Sequence, residues 1–222
     1  GRGIGRAIAL EIAKPKDRLI LTWNHDQGSA EETANILSSR GIKSELHQLN
    51  LQDKKSLYNL IKSFSNGKTP DIVINNAALA QKKDFLDISI DDWDMVLAAN
   101  LRAPFQLSQA VIPTMKSRGW GRIINISSIG GQWGGVHQVH YAASKAALIN
   151  LTRSLSKLYS PYGISCMAIA PGIIDTDMTM KSLGHNQGEL LSQIPCGRLG
   201  KVDDIANAVK YLCSDDANYL SG

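Results

Sequence analysis

Residues 121–145 have the sequence GRIINISSIGGQWGGVHQVHYAASK, in which an apolar run, a glycine-rich loop and a helical pattern follow one another. The apolar run is typical of a strand buried on both faces, and it ends at Ser127 and Ser128. Tyr141 and Lys145 are four residues apart, so they share one face of the helix. A strand followed by a helix in this way is the building unit of a parallel sheet.

The same alternation extends outward along the whole chain. Strands are predicted at 18–23, 43–49, 71–75, 121–127 and 164–170, and helices at 4–14, 27–39, 53–65, 91–116, 139–160 and 202–213. Most of the strand segments are nearly continuous apolar runs. The pattern predicts an α/β fold: a doubly wound parallel sheet of Rossmann type, in three α/β/α layers.

The two ends of the sequence are unusual for such a sheet. The chain opens on Gly1-Arg2-Gly3-Ile4-Gly5, already at a helix start, and stops in a turn that should lead into another strand. We therefore expect the first and last strands of the sheet to be missing. Residues 1–222 are expected to form a single dinucleotide-binding and catalytic domain, with a substrate loop at about 178–200.

Composition and charge exclude several classes of protein. A chain of 222 residues fits one domain, and a net charge of +4 spread over scattered basic residues is not a nucleic-acid footprint. No apolar run approaches the ~18 residues that a membrane span needs. Cys166, Cys196 and Cys213 are widely separated and lack metal-ligand spacing. They predict free thiols, no metal site and a cytoplasmic location.

Ser128, Tyr141 and Lys145 supply the groups that reduction of a carbonyl needs. A hydroxyl can hold the substrate oxygen where negative charge grows, and a phenol can give that oxygen its proton. A free phenol has a pKa of about 10, which a neighbouring cation can lower by about 1–3 units. We expect Lys145 to be that cation.

The spacing of Tyr141 and Lys145 is not specific by itself. Tyr58-Asn59-Leu60-Ile61-Lys62 has the same spacing, in a charged amphipathic stretch with no serine-ended strand before it. Tyr58 and Lys62 are therefore predicted to lie on a solvated helix face.

These elements together resemble the short-chain dehydrogenase/reductase family, and its 3-oxoacyl-[acyl-carrier-protein] reductase-like branch, over essentially the whole chain. Gly3-Ile4-Gly5 is similar to the tail of the family's Thr-Gly-x-x-x-Gly-x-Gly turn. The other similar segments are Asn75-Asn76-Ala77-Ala78, the asparagine motif at 98–101, the Pro-Gly-x-x-x-Thr motif at 171–176, and the reductase-type segments 194–200 and 220–222.

The resemblance implies a catalytic group of Ser128, Tyr141, Lys145 and Asn100, in which Asn100 holds a water that links Lys145 to solvent. A cap or a helix bend is the alternative for Asn100. The thirteen-residue step to Tyr141 favours Ser128 over Ser127. Cofactor contacts are implied for Arg2, Gly3, Ile4, Gly5, Asn24, Asn50, Leu51, Asn76, Ala77, Tyr141, Lys145, Pro171, Gly172, Ile173 and Thr176.

NADP(H) is favoured over NAD as the cofactor. The helix that starts at Ile4 offers N–H groups to a pyrophosphate. An NAD site usually has an acidic residue after the second strand of the sheet. Because the first strand is expected to be missing here, this place follows the segment 18–23, where the chain has Asn24 and only later Asp26. Arg2 can clasp a 2′-phosphate, the alternative being that it lies in solvent.

The substrate residues predicted between the catalytic serine and tyrosine are Ser128, Gln132, Trp133, Val136, Gln138 and Tyr141. Trp133 either packs in the core or flanks a ring or an acyl chain, and His137 and His140 are either surface histidines or ligands. We expect an NADPH-dependent reductase of ketones, most of all of 3-oxoacyl thioesters in fatty acid biosynthesis. The alternatives are a sugar, steroid or other secondary alcohol as substrate, or a non-catalytic NADP-binding regulatory protein.

An acyl carrier protein is a candidate partner, because it is acidic and the chain has Arg118, Arg122 and Lys157 available for docking. Tyr162 stands where carrier-binding relatives often have a base, which argues against docking. The resemblance also implies that the helices at 91–116 and 139–160 pair across a twofold axis, giving a homotetramer or a homodimer.

Overall fold

The computed structural model describes residues 1–64, 68–176 and 191–222. The helices of the described part are α1 (Gly3–Ile12), α2 (Gln27–Ser39), α3 (Lys54–Lys62), α4 (Ile90–Leu97), α5 (Ala103–Arg118), α6 (Gly130–Trp133), α7 (Val139–Tyr159) and α8 (Val202–Cys213). The strands are β1 (Arg18–Trp23), β2 (Lys43–Gln48), β3 (Ile72–Asn75), β4 (Gly121–Ile126) and β5 (Ile164–Ile169). Residues 178–190 of the predicted substrate loop lie outside the described residues.

The chain divides into two compact units, one of residues 1–46 and 171–211 and the other of residues 47–170 and 212–222. The first unit contains α1, β1, α2 and α8 as far as Tyr211. In it Gly1 lies against α2, where an added Cβ would come within 2.9 Å of the Ala30 Cα, so only glycine fits this approach. The single domain predicted for 1–222 stays a prediction.

The second unit is built on a parallel sheet with the strand order β3-β4-β5. Every residue of β4 is buried, as expected for a strand with a neighbour on each side and helices on both faces. Asn75 pairs with Asn125 in the register and donates a hydrogen bond of 2.8 Å to its side-chain oxygen. The carboxyl ends of β3 and β4 therefore lie side by side, and Ser127 and Ser128 follow this end of β4.

Helix α7 packs on this sheet and carries Tyr141 and Lys145 in its first two turns. Farther along the helix Leu148, Thr152 and Leu155 are buried. The Asn125 amide donates to the Thr152 hydroxyl at 2.8 Å, which pairs the polar groups inside this interface.

The prediction of a single helix at 91–116 is wrong, because the helix is interrupted in its middle. Helix α4 begins at a capping box of Ser89 and Asp92, and residues Ala98–Arg102 form a π-helical turn before α5 starts. Pro104 has no N–H group, so the carbonyl of Asn100 cannot receive the usual hydrogen bond from it. The wider turn lies where this bond is missing.

In the ranges that the structure describes, no helix is both long enough and apolar enough to cross a lipid bilayer.

Candidate active site

The two serines that follow β4 have different surroundings. Ser127 is 4% exposed and its hydroxyl donates to the backbone carbonyl of Lys145 at 2.9 Å. Ser128 is less buried and its hydroxyl accepts from the N–H of Gly130 at 3.1 Å. It also forms a hydrogen bond with the phenol of Tyr141. The structure thus gives Ser127 a role in holding α7 and leaves Ser128 beside the phenol.

Tyr141 and Lys145 lie together, as their spacing predicts. The Lys145 Nζ is 5.7 Å from the centroid of the Tyr141 ring. Lys145 is 2% exposed, and its Nζ donates to the backbone carbonyl of Ile126 at 2.7 Å. The end of β4 therefore fixes the ammonium against one side of the tyrosine.

The pKa values of this pair differ from the expectation. Burial lowers the pKa of Lys145 to about 8, because the interior disfavours its charge. Burial also raises the pKa of Tyr141, and the hydrogen bond with Ser128 opposes this rise only in part. The lowered phenol pKa expected from the neighbouring cation is thus wrong for the protein chain alone. The ammonium of Lys145 lies over the ring of Tyr141 and also donates to the carbonyl of Ile126. Burial of the phenol therefore changes its pKa more than the ammonium does.

Asn100 lies in the π-helical turn, is 1% exposed and has all its side-chain groups paired. Its oxygen accepts from the N–H of Leu79 at 2.8 Å, and its amide donates to the Leu79 carbonyl at 2.9 Å and to the Ser144 hydroxyl at 3.0 Å. The side chain thus joins the segment after β3 to α7. The backbone carbonyl of Asn100 cannot receive the usual α-helical hydrogen bond, because Pro104 has no N–H group.

The turn at residues 1–5 lies in the other unit and fits a dinucleotide phosphate. Gly3 has a φ of +53°, which favours glycine, and a Cβ added there would lie 3.9 Å from the Thr176 Cγ2. The first turn of α1 has no acidic residue, and its N-cap, Arg2, makes no side-chain cap. The free N–H groups and the helix dipole are therefore available to an anion. The structure brings Gly3 and Thr176, from the two predicted cofactor motifs, close together.

Arg2 does not lie alone in solvent. Its guanidinium is 3.7 Å from the carboxylate of Asp26, and both side chains are largely exposed, at 62% and 45%. Asp26 also caps α2 by accepting from the N–H of Ser29 at 3.0 Å. An exposed pair of this kind is weak, so Arg2 remains available to a phosphate.

The other predicted cofactor residues follow the carboxyl ends of strands. Asn24 follows β1, Asn50 and Leu51 follow β2, Asn76 and Ala77 follow β3, and Pro171, Gly172 and Ile173 follow β5. The side chain of Asn50 accepts from the N–H of Gln52 at 3.0 Å, and the carbonyl of Ile173 accepts from Gly200 at 2.9 Å. For these two groups the structure shows a role in the turn itself.

The predicted substrate residues form an exposed segment between Ser128 and α7. Trp133 is 82% exposed and Val136 is 83% exposed, so core packing, the alternative for Trp133, is wrong. Gln132 is exposed and Gln138 is half-buried. Two large apolar side chains thus lie exposed in the segment between Ser128 and Tyr141.

His140 is the main residue that the sequence placed incorrectly. It is fully buried, at 0% exposure, and one ring nitrogen lies 2.9 Å from the side-chain oxygen of Gln81. His137 is exposed and pairs with Asp84 at 3.1 Å. A histidine directly before a tyrosine gives no sign of burial in the sequence, since its partner Gln81 is distant in the chain.

Arg122 was also placed incorrectly, because it is 1% exposed and cannot dock a partner. Its guanidinium donates to the carbonyl of Ser214 and to the side chain of Asn218. A cavity of about 640 Å³ surrounds this region, at the amino ends of β4 and β5. Ligands of open parallel sheets bind at the carboxyl ends, so this cavity is not the substrate site. Tyr58 is 63% exposed on α3, as predicted.

Among the described residues, no group of three or more His, Cys, Asp or Glu side chains is arranged to hold a metal ion.

Comparison with known proteins decides the family. The family model described as enoyl-(acyl carrier protein) reductase matches residues 1–222. The 3-oxoacyl-[acyl-carrier-protein] reductase FabG of Aquifex aeolicus is 37% identical over 228 residues, which cover 100% of this chain and 90% of the relative. The chain belongs to the short-chain dehydrogenase/reductase family. It is therefore an NAD(P)-dependent oxidoreductase, as the resemblance implied.

Other members of the short-chain dehydrogenase/reductase family are similarly close. The human (3R)-3-hydroxyacyl-CoA dehydrogenase is 34% identical over 232 residues, covering 100% of this chain and 88% of the relative. A Beutenbergia cavernae protein assigned as an NAD(P)-dependent gluconate 5-dehydrogenase, solved with bound NADP, has a TM-score of 0.92 and 30% identity over 99% of this chain and 88% of its own. A blue fluorescent protein from a metagenomic library, solved with NADPH, has a TM-score of 0.90 and 31% identity over 99% and 90%. The predicted doubly wound α/β fold is confirmed.

Proposed function

We propose that the protein is an NADPH-dependent reductase that converts a 3-oxoacyl thioester into the 3-hydroxyacyl thioester. The observation that carries this proposal is the arrangement of Ser128, Tyr141 and Lys145 at the end of β4 and the start of α7. Ser127 is committed to the Lys145 carbonyl, so one hydroxyl remains beside the phenol.

Each of these residues has a separate task in the reduction. Bound NADPH supplies the hydride that adds to the carbonyl carbon. The Ser128 hydroxyl donates a hydrogen bond to the substrate oxygen, where negative charge grows. Tyr141 gives its proton to that oxygen, which becomes the alcohol.

Lys145 makes this proton transfer easier when it is charged, because an adjacent cation favours the phenolate that is left. With a pKa of about 8, Lys145 is mostly protonated at neutral pH. The backbone carbonyl of Asn100 is suited to accept from a water that returns a proton towards Lys145. The paired amide of Asn100 holds this carbonyl in place.

NADP(H) is the cofactor in this proposal. Arg2 is exposed beside the phosphate-binding turn, and the residue after β1 is Asn24 instead of an acid. A guanidinium matches the geometry of a 2′-phosphate. The two solved relatives were determined with bound NADP and NADPH, which supports the choice.

Two observations support a thioester as the substrate. The curated relatives are described as acting on 3-oxoacyl or 3-hydroxyacyl thioesters, with carrier protein in one case and coenzyme A in the other. The exposed Trp133 and Val136 offer apolar surface to an acyl chain. The gluconate dehydrogenase assignment of one solved relative keeps a sugar as the second candidate.

Only the activities of the relatives support a carrier protein as partner. Arg122 is buried and cannot contact it, and Tyr162 packs under Lys116, whose Nζ is 3.8 Å from the centroid of the tyrosine ring. Carrier docking would need other bases, such as Lys157, which is exposed. Measurement with carrier-bound and coenzyme A-bound substrate would separate the two carriers.

A homotetramer or a homodimer is also proposed. Phe105 on α5 is 44% exposed and Leu158 on α7 is 59% exposed, and such apolar residues fit an interface. Light scattering that finds a monomer would contradict it.

The experiment that tests the function is NADPH oxidation with a panel of acetoacetyl thioesters, sugars and cyclic ketones. The highest kcat/KM is expected for the thioesters. Tyr141→Phe should abolish turnover and keep NADPH binding, which a non-catalytic binding protein would not show. A higher kcat/KM for sugars would show that the substrate is a sugar and not a thioester. Turnover by Tyr141→Phe would refute the role of Tyr141 as the proton donor.

A further inference from the structure

A partly buried polar network contacts the residue directly before Tyr141. Asp92 is 8% exposed, and its carboxylate accepts from the amide of Gln81 at 2.7 Å, from Lys83 and from Ser89. The Gln81 oxygen lies 2.9 Å from the Nε2 of His140. These donors, Lys83 first, hold the pKa of Asp92 well below its usual range. The chain of contacts thus runs from a fixed negative charge to the residue before Tyr141.

The network determines how the proton of His140 is placed. Asp92 accepts only, so the amide nitrogen of Gln81 must face it and the amide oxygen must face His140. That oxygen also accepts only, so the Nε2 of His140 carries the hydrogen. The Nδ1 is buried and has no hydrogen-bond partner. His140 is therefore held through a single directional bond to Gln81.

The first turn of α7 is held by contacts with a neighbouring segment. Its N-cap, Gln138, makes no side-chain hydrogen bond to the helix. The segment 79–84, which we name the strap, supplies the contacts instead. Its Lys83 N–H donates to the His137 carbonyl at 2.9 Å, and its Gln81 holds His140. The strap itself is fixed to Asn100 through Leu79.

We propose that Gln81 and His140 are positioning residues of the reductase: they hold the first turn of α7 so that the Tyr141 hydroxyl stays beside Ser128. This inference rests on the proposed function for its kinetic consequence, although the geometry is independent of it. Neither residue touches the reacting atoms. Their loss should therefore lower kcat while the binding of NADPH and of the ketone changes little.

A matched set of variants tests this proposal. Gln81→Met keeps the length of the side chain and removes both amide hydrogen bonds. His140→Gln keeps a donor that can reach Gln81. Thr152→Val is the control, because Thr152 is equally buried on the same helix and also joins a side-chain network, but lies three turns beyond Tyr141.

The expected kinetic result is a split between kcat and binding. For Gln81→Met we expect kcat to fall about tenfold, because small displacements of a reacting group are costly, with KM and the NADPH Kd within about twofold. His140→Gln should stay close to the natural protein. Thr152→Val should lose thermal stability and keep kcat. Unchanged kcat in Gln81→Met, or a kcat loss in Thr152→Val as large as in Gln81→Met, would overturn the proposal.

If Gln81→Met does not fold, His140→Gln and His140→Asn carry the test. Both place an amide in the same site, but only glutamine is long enough to reach Gln81. A higher kcat in His140→Gln supports the positioning role, and equal values refute it.

A spectroscopic readout separates this inference from the proposed function. With ¹³Cζ-labelled tyrosine, the NMR signal of Tyr141 is assigned by its loss in Tyr141→Phe. It should shift in Gln81→Met and keep its position in His140→Gln and Thr152→Val. A signal that does not move in Gln81→Met contradicts the inference. If the natural protein reduces no ketone, the proposed function fails while this measurement still decides the positioning role.

Discussion

Replacing Lys145 by methionine should stabilise the cofactor-free protein at neutral pH and abolish its activity. Burial lowers the pKa of Lys145 from 10.5 to about 8, and the side chain is only 2% exposed. A shift of this size at ~1.4 kcal/mol per unit costs the folded state about 3.5 kcal/mol. Methionine removes this cost but also the charged hydrogen bond to Ile126, worth ~1.5–3 kcal/mol. The expected net gain is ~0.5–2 kcal/mol.

The gain should depend on pH in a definite direction. Below pH 8 the lysine is protonated in the folded and the unfolded protein, so the whole cost is present. Between pH 8 and 10.5 the unfolded protein binds more protons, so the stability of the natural protein rises with pH. Above that window the lysine is neutral in both states. The advantage of Lys145→Met should therefore shrink as pH rises through it.

The assay is urea unfolding followed by tryptophan fluorescence, at pH 7 and at pH 10, with a fixed protein concentration and no cofactor. Lys157→Met is the matched control, because Lys157 is exposed on the same helix. It should change stability little at either pH. A Lys145→Met protein that is less stable at pH 7, or whose advantage is the same at both pH values, would show that the cost of the buried charge has been misjudged.

Three further outcomes are expected. Arg2→Ala should lower the NADPH-to-NADH ratio of kcat/KM at least about tenfold through loss of the phosphate contact. An unchanged ratio would show that Arg2 does not contact the 2′-phosphate. Ser128→Ala should lose about 10²–10³ in kcat, whereas Ser127→Ala should lose mainly thermal stability; equal kcat losses would contradict their assigned roles. Gly163→Ala should lower the Tm, because φ is +74° and the added Cβ would strike a backbone carbonyl, whereas Gly28→Ala, with open space around it, should not. Equal melting temperatures for the two alanine variants would refute the steric argument.

Most of the fold could be predicted from the sequence because its signal is local. Buried strands of a parallel sheet are short apolar runs, and the helices between them carry periodic patterns and end at prolines or glycines. Strand β1 and helices α2 and α8 have the predicted bounds. The grouping of Ser128, Tyr141 and Lys145 could be predicted for the same reason, since they lie within one strand-loop-helix segment.

The features that could not be predicted depend on contacts between distant segments. The π-helical turn at Ala98–Arg102 interrupts a continuous helical pattern, and Pro104 alone does not reveal where the wider turn lies. The burial of Arg122 depends on Ser214 and Asn218, which are more than ninety residues away. The raised pKa of Tyr141 depends on how deeply α7 packs, which no spacing of residues encodes.

The side chains of Lys145 and Asn100 are held by backbone groups, which explains why the sequence identifies these two residues but not the residues that hold them. The ammonium of Lys145 is held by the carbonyl of Ile126, and the amide of Asn100 by both backbone groups of Leu79. Every residue type except proline offers these same backbone groups, so neither Ile126 nor Leu79 leaves a motif. Apolar substitutions of Ile126 or Leu79 keep the backbone groups that make these hydrogen bonds, whereas Gln81 acts through its side-chain amide. The supporting contacts that side chains make are therefore the ones that substitution can test.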